Sequence, residues 1–234
     1  MTSASDLAAL AALLADETRA AMCLALLDGR AWTAGELAAH ARVAPSTATE
    51  HLHRLVAGGL LVERRQGRHR YVQLADPSVA ELLEDLASRI TSRPAAPSGL
   101  RAATASAALR RGRTCYDHLA GQLGVAVTDA MTSRGLLEQS GGFALTPAGL
   151  AWLTGTLGLA PESLRPGKRP LARGCLDWTE RRQHLAGLAG ARVCATFLSR
   201  GWMERIGSGR AVRLTPHGKA QVRDLLGLDS PDVH

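Results

Sequence analysis

The chain has 234 residues, of which 46% are hydrophobic and 3% aromatic, and 28 Lys and Arg against 21 Asp and Glu give a net charge of +7. This length can bury a substantial core, and no run of 18 apolar residues occurs, so we expect neither a membrane protein nor, without a signal peptide, a secreted one. The four cysteines are scattered without a Cys-x-x-Cys pair, which favours reduced thiols in the cytoplasm.

The charge is unevenly distributed along the chain. Residues 1–90 contain 9 Arg and 11 acidic residues, a net charge of −2, whereas residues 91–234 contain 19 basic and 10 acidic residues, a net charge of +9. The basic half could add phosphate contacts, hold an anionic effector or promote solubility.

Two helices are predicted first. Ser5–Leu14 is apolar on most sides, which fits either a dimerisation helix or an ordinary core helix. Glu17–Leu27 follows and ends before Gly29, and we interpret Cys23 within it as a small buried hydrophobe.

A helix-turn-helix is predicted next. Thr33 and Glu36 have the spacing of a capping box, so a short helix should begin at Ala34, and Pro45 suits the first turn of a second helix that Gly58 ends. The second helix should bury Ala48, Leu52 and Leu55. Its outward residues can reach base edges and phosphates in a major groove. They are Ser46, Thr47, Thr49, Glu50, His51, His53 and Arg54.

A basic hairpin follows this helix pair. Leu60–Val62 and Tyr71–Leu74 read as strands joined around Gly67. The residues near the tip would repel one another unless a polyanion such as double-stranded DNA lay beside them. These residues are Arg64, Arg65, Gln66, Arg68, His69 and Arg70. The alternative is a charge run on an ordinary surface hairpin.

The segments LADETR, PSTATEHLHRL and GLLVERRQGRHRYVQL, in this order, resemble the winged helix-turn-helix of ArsR/SmtB-type regulators over about residues 5–90. The resemblance implies a homodimer that binds an operator and releases it when an effector binds. It also implies that the N-terminal helix and the helix after the wing form the dimer. The family's Cys-x-Cys metal motif is replaced by Gly35–His40, and its His/Asp metal pattern is missing from Asp76–Ile90, so metal sensing is not implied at those two places.

The second half contains an internal repeat, 115–159 and 175–228. Cys-x-Asp recurs with an offset of 60, Ser-Arg-Gly with 66 and Leu-Thr-Pro with 69, which places a six-residue insertion near the start of the second copy. We therefore predict a mainly α fold with small β-hairpins (α+β), built from a winged helix-turn-helix and two winged-helix-like repeats. The predicted boundaries are 1–91 for the DNA-binding and dimerisation domain, 92–99 for a linker, 100–160 for the first repeat, 161–174 for a second linker, 175–228 for the second repeat and 229–234 for a tail.

Each repeat begins with Cys-x-Asp followed by a histidine. If the copies pack symmetrically, these residues could converge into a soft-metal or thiol-redox site, and Cys115 follows arginines near an expected helix start, a setting that lowers a thiol pKa. A small organic or acidic effector could instead lie between the copies, with Trp178 stacking on it and arginines holding a carboxylate. We favour a third interpretation, in which duplication preserved packing residues. The candidate effector residues are Cys115, Asp117, His118, Cys175, Asp177, Trp178, Arg181, Arg182 and His184.

The predicted function is a cytoplasmic, homodimeric transcriptional repressor with no catalytic residue, no resident metal and no cofactor. The alternatives are a thiol- or metal-responsive regulator using Cys115 and Cys175, an enzyme using one of these cysteines with a histidine, and an interaction module that no longer binds DNA.

Overall fold

A computed structural model describes residues 3–67, 69–90, 100–165, 167, 169–207 and 209–228. The chain divides into two compact units, Met1–Leu83 and Glu84–His234. The division falls inside a helix, whereas the predicted linker 92–99 and the predicted tail lie outside the described residues. No helix in the described ranges has both the length and the apolarity to cross a membrane.

The first unit is a winged helix-turn-helix, as predicted. Its elements are α1 (Ala4–Leu14), α2 (Glu17–Leu26), β1 (Trp32–Thr33), α3 (Ala34–Ala41), α4 (Pro45–Ala57), β2 (Leu61–Gln66) and β3 (His69–Leu74), and α5 (Pro77–Arg89) begins in it. The predicted capping box at Thr33 is present, Arg42 ends α3 in the left-handed conformation, and Pro45 occupies the first turn of α4. The sequence did not predict β1, which pairs with β3 and makes the wing a three-stranded sheet.

The second unit contains α6 (Leu100–Arg111) and two copies of one motif. The first copy is β4 (Arg113–Cys115), β5 (His118–Ala120), α7 (Gly121–Ser133), β6 (Leu137–Glu138), β7 (Ala144–Leu145) and α8 (Pro147–Ala151), which continues as a π-helical turn. The second copy is β8 (Arg173–Leu176), β9 (Gln183–Ala186), α9 (Gly187–Ser199), β10 (Met203–Arg205), β11 (Val212–Leu214) and α10 (Pro216–Leu226).

The two copies share one hydrophobic core. Leu123 and Met131 of α7 are buried in the same cluster as Val193 and Phe197 of α9. The packing is crossed, because α7 contacts β9 and α9 contacts β5.

One sequence expectation was wrong here. Cys115 does not lie near a helix start but on the first strand of a short hairpin, β4–β5. Cys175 lies on the first strand of the equivalent hairpin, β8–β9. Strands of three and four residues are too short to show a periodic pattern, and the helices begin only at Gly121 and Gly187. The second hairpin also begins at Arg173, inside the predicted linker 161–174.

Gly149 and Gly218 occupy equivalent places in the two copies, on the helix after Leu-Thr-Pro. A Cβ atom at Gly149 would overlap the carbonyl oxygen of Leu136, and one at Gly218 would overlap the carbonyl oxygen of Trp202. The helix therefore packs directly on backbone in both copies.

We expect Gly218→Ala to lower the free energy of unfolding by roughly 1–3 kcal/mol, because the new methyl group must displace backbone. Gly155→Ala is the matched control, since its Cβ would meet no atom within 4 Å. Urea unfolding of both variants measures the difference, and equal stabilities would contradict the close packing of α10 on Trp202.

Candidate functional site

The polar face of α4 is the first candidate site. The structure leaves six of the seven predicted side chains exposed, namely Ser46, Thr47, Thr49, Glu50, His53 and Arg54. Thr49 donates a hydrogen bond from Oγ1 to the Pro45 carbonyl oxygen at 2.8 Å, and Arg54 pairs with Glu50 one turn away. Ala44 at the N-cap offers no side-chain hydrogen bond, so α4 begins without the cap that would occupy its first amide groups.

His51 does not belong to this face, contrary to the sequence prediction. Its side chain is only 16% exposed, and Nδ1 lies 3.4 Å from Nη1 of Arg19 and 3.7 Å from Oδ1 of Asp16. The reason is its position three residues after Ala48 and four before Leu55, both of which are fully buried.

The wing is the second part of this surface. Arg64, Arg65, Gln66, His69 and Arg70 are exposed, and Arg68 lies outside the described residues. Arg65 and Arg70 are direct cross-strand partners. Like charges in this position destabilise a hairpin. Arg70 has a carboxylate near it, with Nη1 3.4 Å from Oε1 of Glu63. The polar face of α4 and the wing are both parts of the first unit.

The second candidate site lies inside the second unit. Cys115 is the direct cross-strand partner of His118, and Cys175 is that of His184. Partners of this kind project from the same face of a hairpin, so each hairpin presents one thiol beside one imidazole. Two residues separate the partners in the first copy and eight in the second, and the predicted six-residue insertion lies in this longer segment.

These four residues, which we call the cysteine–histidine cluster, come together in the interior. All four are at most 5% exposed, and one ligand-type atom from each lies within 4.8 Å of all the others. The Nε2 atoms of His118 and His184 are 3.1 Å apart. The convergence that the sequence analysis left open therefore occurs for the thiols and imidazoles.

The two aspartates do not join the cluster as the sequence suggested. Asp117 accepts hydrogen bonds from both terminal nitrogens of Arg169, and Asp177 accepts one from Nη2 of Arg113 at 2.8 Å. Each aspartate instead lies on the Nδ1 side of its histidine, whereas the Nε2 atoms face each other. Oδ1 of Asp117 is 3.4 Å from Nδ1 of His118, and Oδ2 of Asp177 is 3.5 Å from Nδ1 of His184.

The remaining predicted effector residues have other partners. Trp178 lies under the guanidinium group of Arg113, 4.6 Å from the ring centroid. Arg181 donates to the backbone oxygen of Ser88, and Arg182 pairs with Asp129 at an exposed position. The Arg113 guanidinium therefore already covers one face of the indole on which the predicted ligand would stack.

Glu84 is a member of this site that the sequence analysis did not identify. It is 5% exposed, and its Oε2 lies 3.7 Å from Sγ of Cys175 and 4.0 Å from Nε2 of His118. Helical spacing could have indicated the burial of Glu84, because Glu84 lies four residues after Ala80, which is fully buried on the same helix.

Burial and contacts with one another shift the pKa values of the four residues of the cysteine–histidine cluster. The hydrogen bond between the two sulfurs raises the pKa of Cys115 well above its usual value and lowers the pKa of Cys175. Burial opposes the charged form of His118, but the Glu84 carboxylate, the hydrogen bond to Asp117 and the contact with Cys175 together outweigh burial and raise the pKa of this imidazole to about 10. Burial lowers the pKa of His184 and raises that of Glu84 to about 7. The predicted lowering of the Cys115 pKa was therefore wrong.

Known proteins that are similar to this chain contain a helix-turn-helix, as its first unit does. The helix-turn-helix domain family matches residues 14–64. The HTH-type transcriptional regulator YdfF of Bacillus subtilis is 37% identical over 215 residues, 92% of this chain and 94% of that protein. The HTH-type transcriptional regulator CmtR of Mycobacterium bovis is 42% identical over 82 residues, 35% of this chain and 69% of that protein. A solution structure of the homodimeric winged helix-turn-helix domain of Mb0332 from Mycobacterium bovis is 27% identical, covers 35% of this chain and 75% of that chain, and gives a TM-score of 0.33.

Fold and relatives together define a transcriptional regulator with a helix-turn-helix domain. The chain belongs to the HTH-type transcriptional regulators, and its first part is a winged helix-turn-helix.

Two arginine–aspartate pairs of the second unit allow a matched prediction on stability. Arg113 and Asp177 are both 0% exposed at 2.8 Å, whereas Arg182 and Asp129 are 59% and 41% exposed at the same distance. We expect Asp177→Asn to cost roughly 3–5 kcal/mol of unfolding free energy, because it leaves a buried guanidinium unbalanced. Asp129→Asn should cost at most about 1 kcal/mol. Unfolding of both variants in guanidinium chloride measures the difference. A small effect of Asp177→Asn would show that Arg113 is not confined to the interior.

Proposed function

We propose that the protein is a homodimeric repressor that binds a double-stranded DNA operator and releases it when an effector binds to the second unit. The observation that carries this proposal is the exposed polar face of α4 in the same unit as a wing whose Arg65 and Arg70 lie opposite each other. A surface of this kind gains free energy when DNA phosphates displace their counterions onto it.

In this proposal α4 enters the major groove, and the residues at its exposed face divide between two tasks. Ser46, Thr47, Thr49 and His53 contact base edges, while Glu50 fixes the orientation of Arg54. The wing arginines and Arg54 neutralise phosphates or reach the minor groove. His51 is excluded from base contact because its ring is held against Arg19.

The homodimer is supported by α1. This helix has the sequence ASDLAALAALL but contributes no buried residue, and Leu7 is 64% exposed. Such a surface is costly in water unless another copy covers it. A twofold dimer would place two copies of α4 about one helical turn of DNA apart, on a pseudo-palindrome.

A regulatory rather than catalytic function is supported by the relatives, which are transcriptional regulators. A protein that binds operator DNA acts in the compartment that holds the DNA, which for its bacterial relatives is the cytoplasm.

We expect the double variant Arg64→Ala/Arg65→Ala to weaken binding to all sequences alike and to reduce the slope of log affinity against log salt by about 2, since two phosphate contacts disappear. Thr47→Ala or His53→Ala should instead cost about 1–3 kcal/mol of discrimination between operator and mismatched DNA. Operators selected from random DNA and titrated at several salt concentrations provide the measurement. The control Arg192→Ala/Arg213→Ala removes the same charge from the second unit; a salt slope unchanged by the wing variant would exclude the wing from the interface.

We also expect Leu7→Glu to shift the protein from dimer to monomer, because the new charges would face each other across α1. Leu150→Glu, at a position 37% exposed on α8, is the control and should leave the dimer intact. Sedimentation velocity measures both. A Leu7→Glu protein that remains dimeric would rule out α1 as the interface.

A further inference from the structure

We propose that Cys115, His118, Cys175 and His184 bind one borderline-soft divalent cation of the Zn²⁺ class, and that this cation is the effector. The first statement stands on the geometry of the second unit alone. The second rests on the proposed function.

The ligand set and its dimensions support a tetrahedral site. Two thiolates and two imidazoles are a common ligand set of structural zinc sites, and bond lengths near 2.05 Å to nitrogen and 2.3 Å to sulfur give tetrahedron edges of about 3.3 Å between nitrogens and about 3.8 Å between sulfurs. The two Nε2 atoms are 3.1 Å apart, and one ligand atom of each residue lies within 4.8 Å of all the others. Movements of less than about 1 Å would bring all four to bonding distance.

The imidazoles are already oriented for this task. Each has a carboxylate on the side of Nδ1, Asp117 for His118 and Asp177 for His184, and each carboxylate is fixed by an arginine. A carboxylate on one ring nitrogen orients a histidine so that the other nitrogen faces a metal. Nδ1 of His184 is buried and makes no hydrogen bond in this arrangement, so its distance of 3.5 Å to Asp177 leaves room for the ring to adjust.

Glu84 gives an independent reason to expect a cation. Its carboxylate is buried beside Cys175, and its Oε1 has no hydrogen-bond partner. A buried carboxylate is stabilised by a positive charge beside it, and a divalent ion bound to the cluster would supply that charge. Hard ions such as Mg²⁺ and Ca²⁺ would not take two sulfur ligands, which limits the choice to the Zn²⁺ class.

Cation binding would release protons from the ligands and would act on helix α5 through Glu84. Cys115 and His118, whose pKa values are raised, each lose one proton to solvent when they bond to the ion, whereas the lowered pKa of Cys175 already favours its thiolate. Glu84 then faces a cation. Glu84 lies on α5, a single continuous helix from Pro77 to Arg89 whose first residues belong to the DNA-binding unit. We therefore expect occupancy of the cluster to change how this helix is held.

The first experiment measures cation binding without DNA. Reduced full-length protein is titrated with Co²⁺, and we expect one equivalent to bind with thiolate-to-cobalt charge transfer and the visible bands of a tetrahedral ion, both lost on adding Zn²⁺. Cys175→Ala should weaken binding by more than about 100-fold, and Asp117→Asn by about 10–100-fold through loss of orientation.

The matched control is Cys194→Ala. Cys194 and Cys175 are both 2% exposed in the second copy, but Cys194 lies outside the cluster, so its variant should bind Co²⁺ as the unaltered protein does. Far-ultraviolet circular dichroism checks that each variant is folded. Failure of the folded, reduced, unaltered protein to take up Co²⁺, Zn²⁺ or Cd²⁺ would overturn the cation site, and so would uptake that Cys175→Ala does not change.

The second experiment measures operator affinity of the chelator-treated and Zn²⁺-loaded protein. We expect Zn²⁺ to weaken DNA binding at least tenfold in the unaltered protein and Cys194→Ala, but not in Cys175→Ala. Cation uptake with unchanged operator affinity would overturn the effector role and leave the site. A response only to oxidant, with a Cys115–Cys175 disulfide, would overturn the cation in favour of a thiol switch. A protein that binds the cation but binds no DNA, either after chelator treatment or loaded with Zn²⁺, would overturn the proposed function and leave the cation site established.

Discussion

The second unit depends on the register of two short hairpins. Because Cys115 pairs across the strands with His118 and Cys175 with His184, each hairpin can offer only one thiol and one imidazole to its neighbour. The crossed packing of α7 on β9 and of α9 on β5 then brings the two pairs to one centre. A shift of one residue in either hairpin would turn its cysteine and histidine to the opposite face.

The sequence alone predicted most of the helices and strands of the first unit. Its signals are local: the capping box at Thr33, the first-turn proline at Pro45 and the glycines after α4 each act within a few residues. His51 was misplaced because polarity alone does not say which side of a helix a residue covers. Its spacing from Ala48 and Leu55 puts it at the edge of the core, where Arg19 and Asp16 satisfy it.

In the second unit the sequence revealed the duplication but not its arrangement. The repeated Cys-x-Asp and histidine were recognised, yet which of these groups would meet depends on pairings between residues about 60 positions apart. The partners Arg113 of Asp177 and Arg169 of Asp117 are such long-range pairings, and they hold the aspartates behind the imidazoles. Glu84 was missed because a charged residue on a helix is ordinarily exposed, and its partner Cys175 lies 91 positions later in the chain.

The unequal loops of the two hairpins and their covalent connection have one more consequence. If the two Cys–His pairs belonged to separate chains, the buried centre would form only at protein concentrations high enough for the chains to associate. Here both pairs are on one polypeptide, so each meets the other at an effective concentration set by the intervening chain. The centre can therefore assemble in a cell that contains only a few copies of the protein. The longer second loop adds a further tie between the copies, because Asp177 within it accepts a hydrogen bond from Arg113 of the first copy.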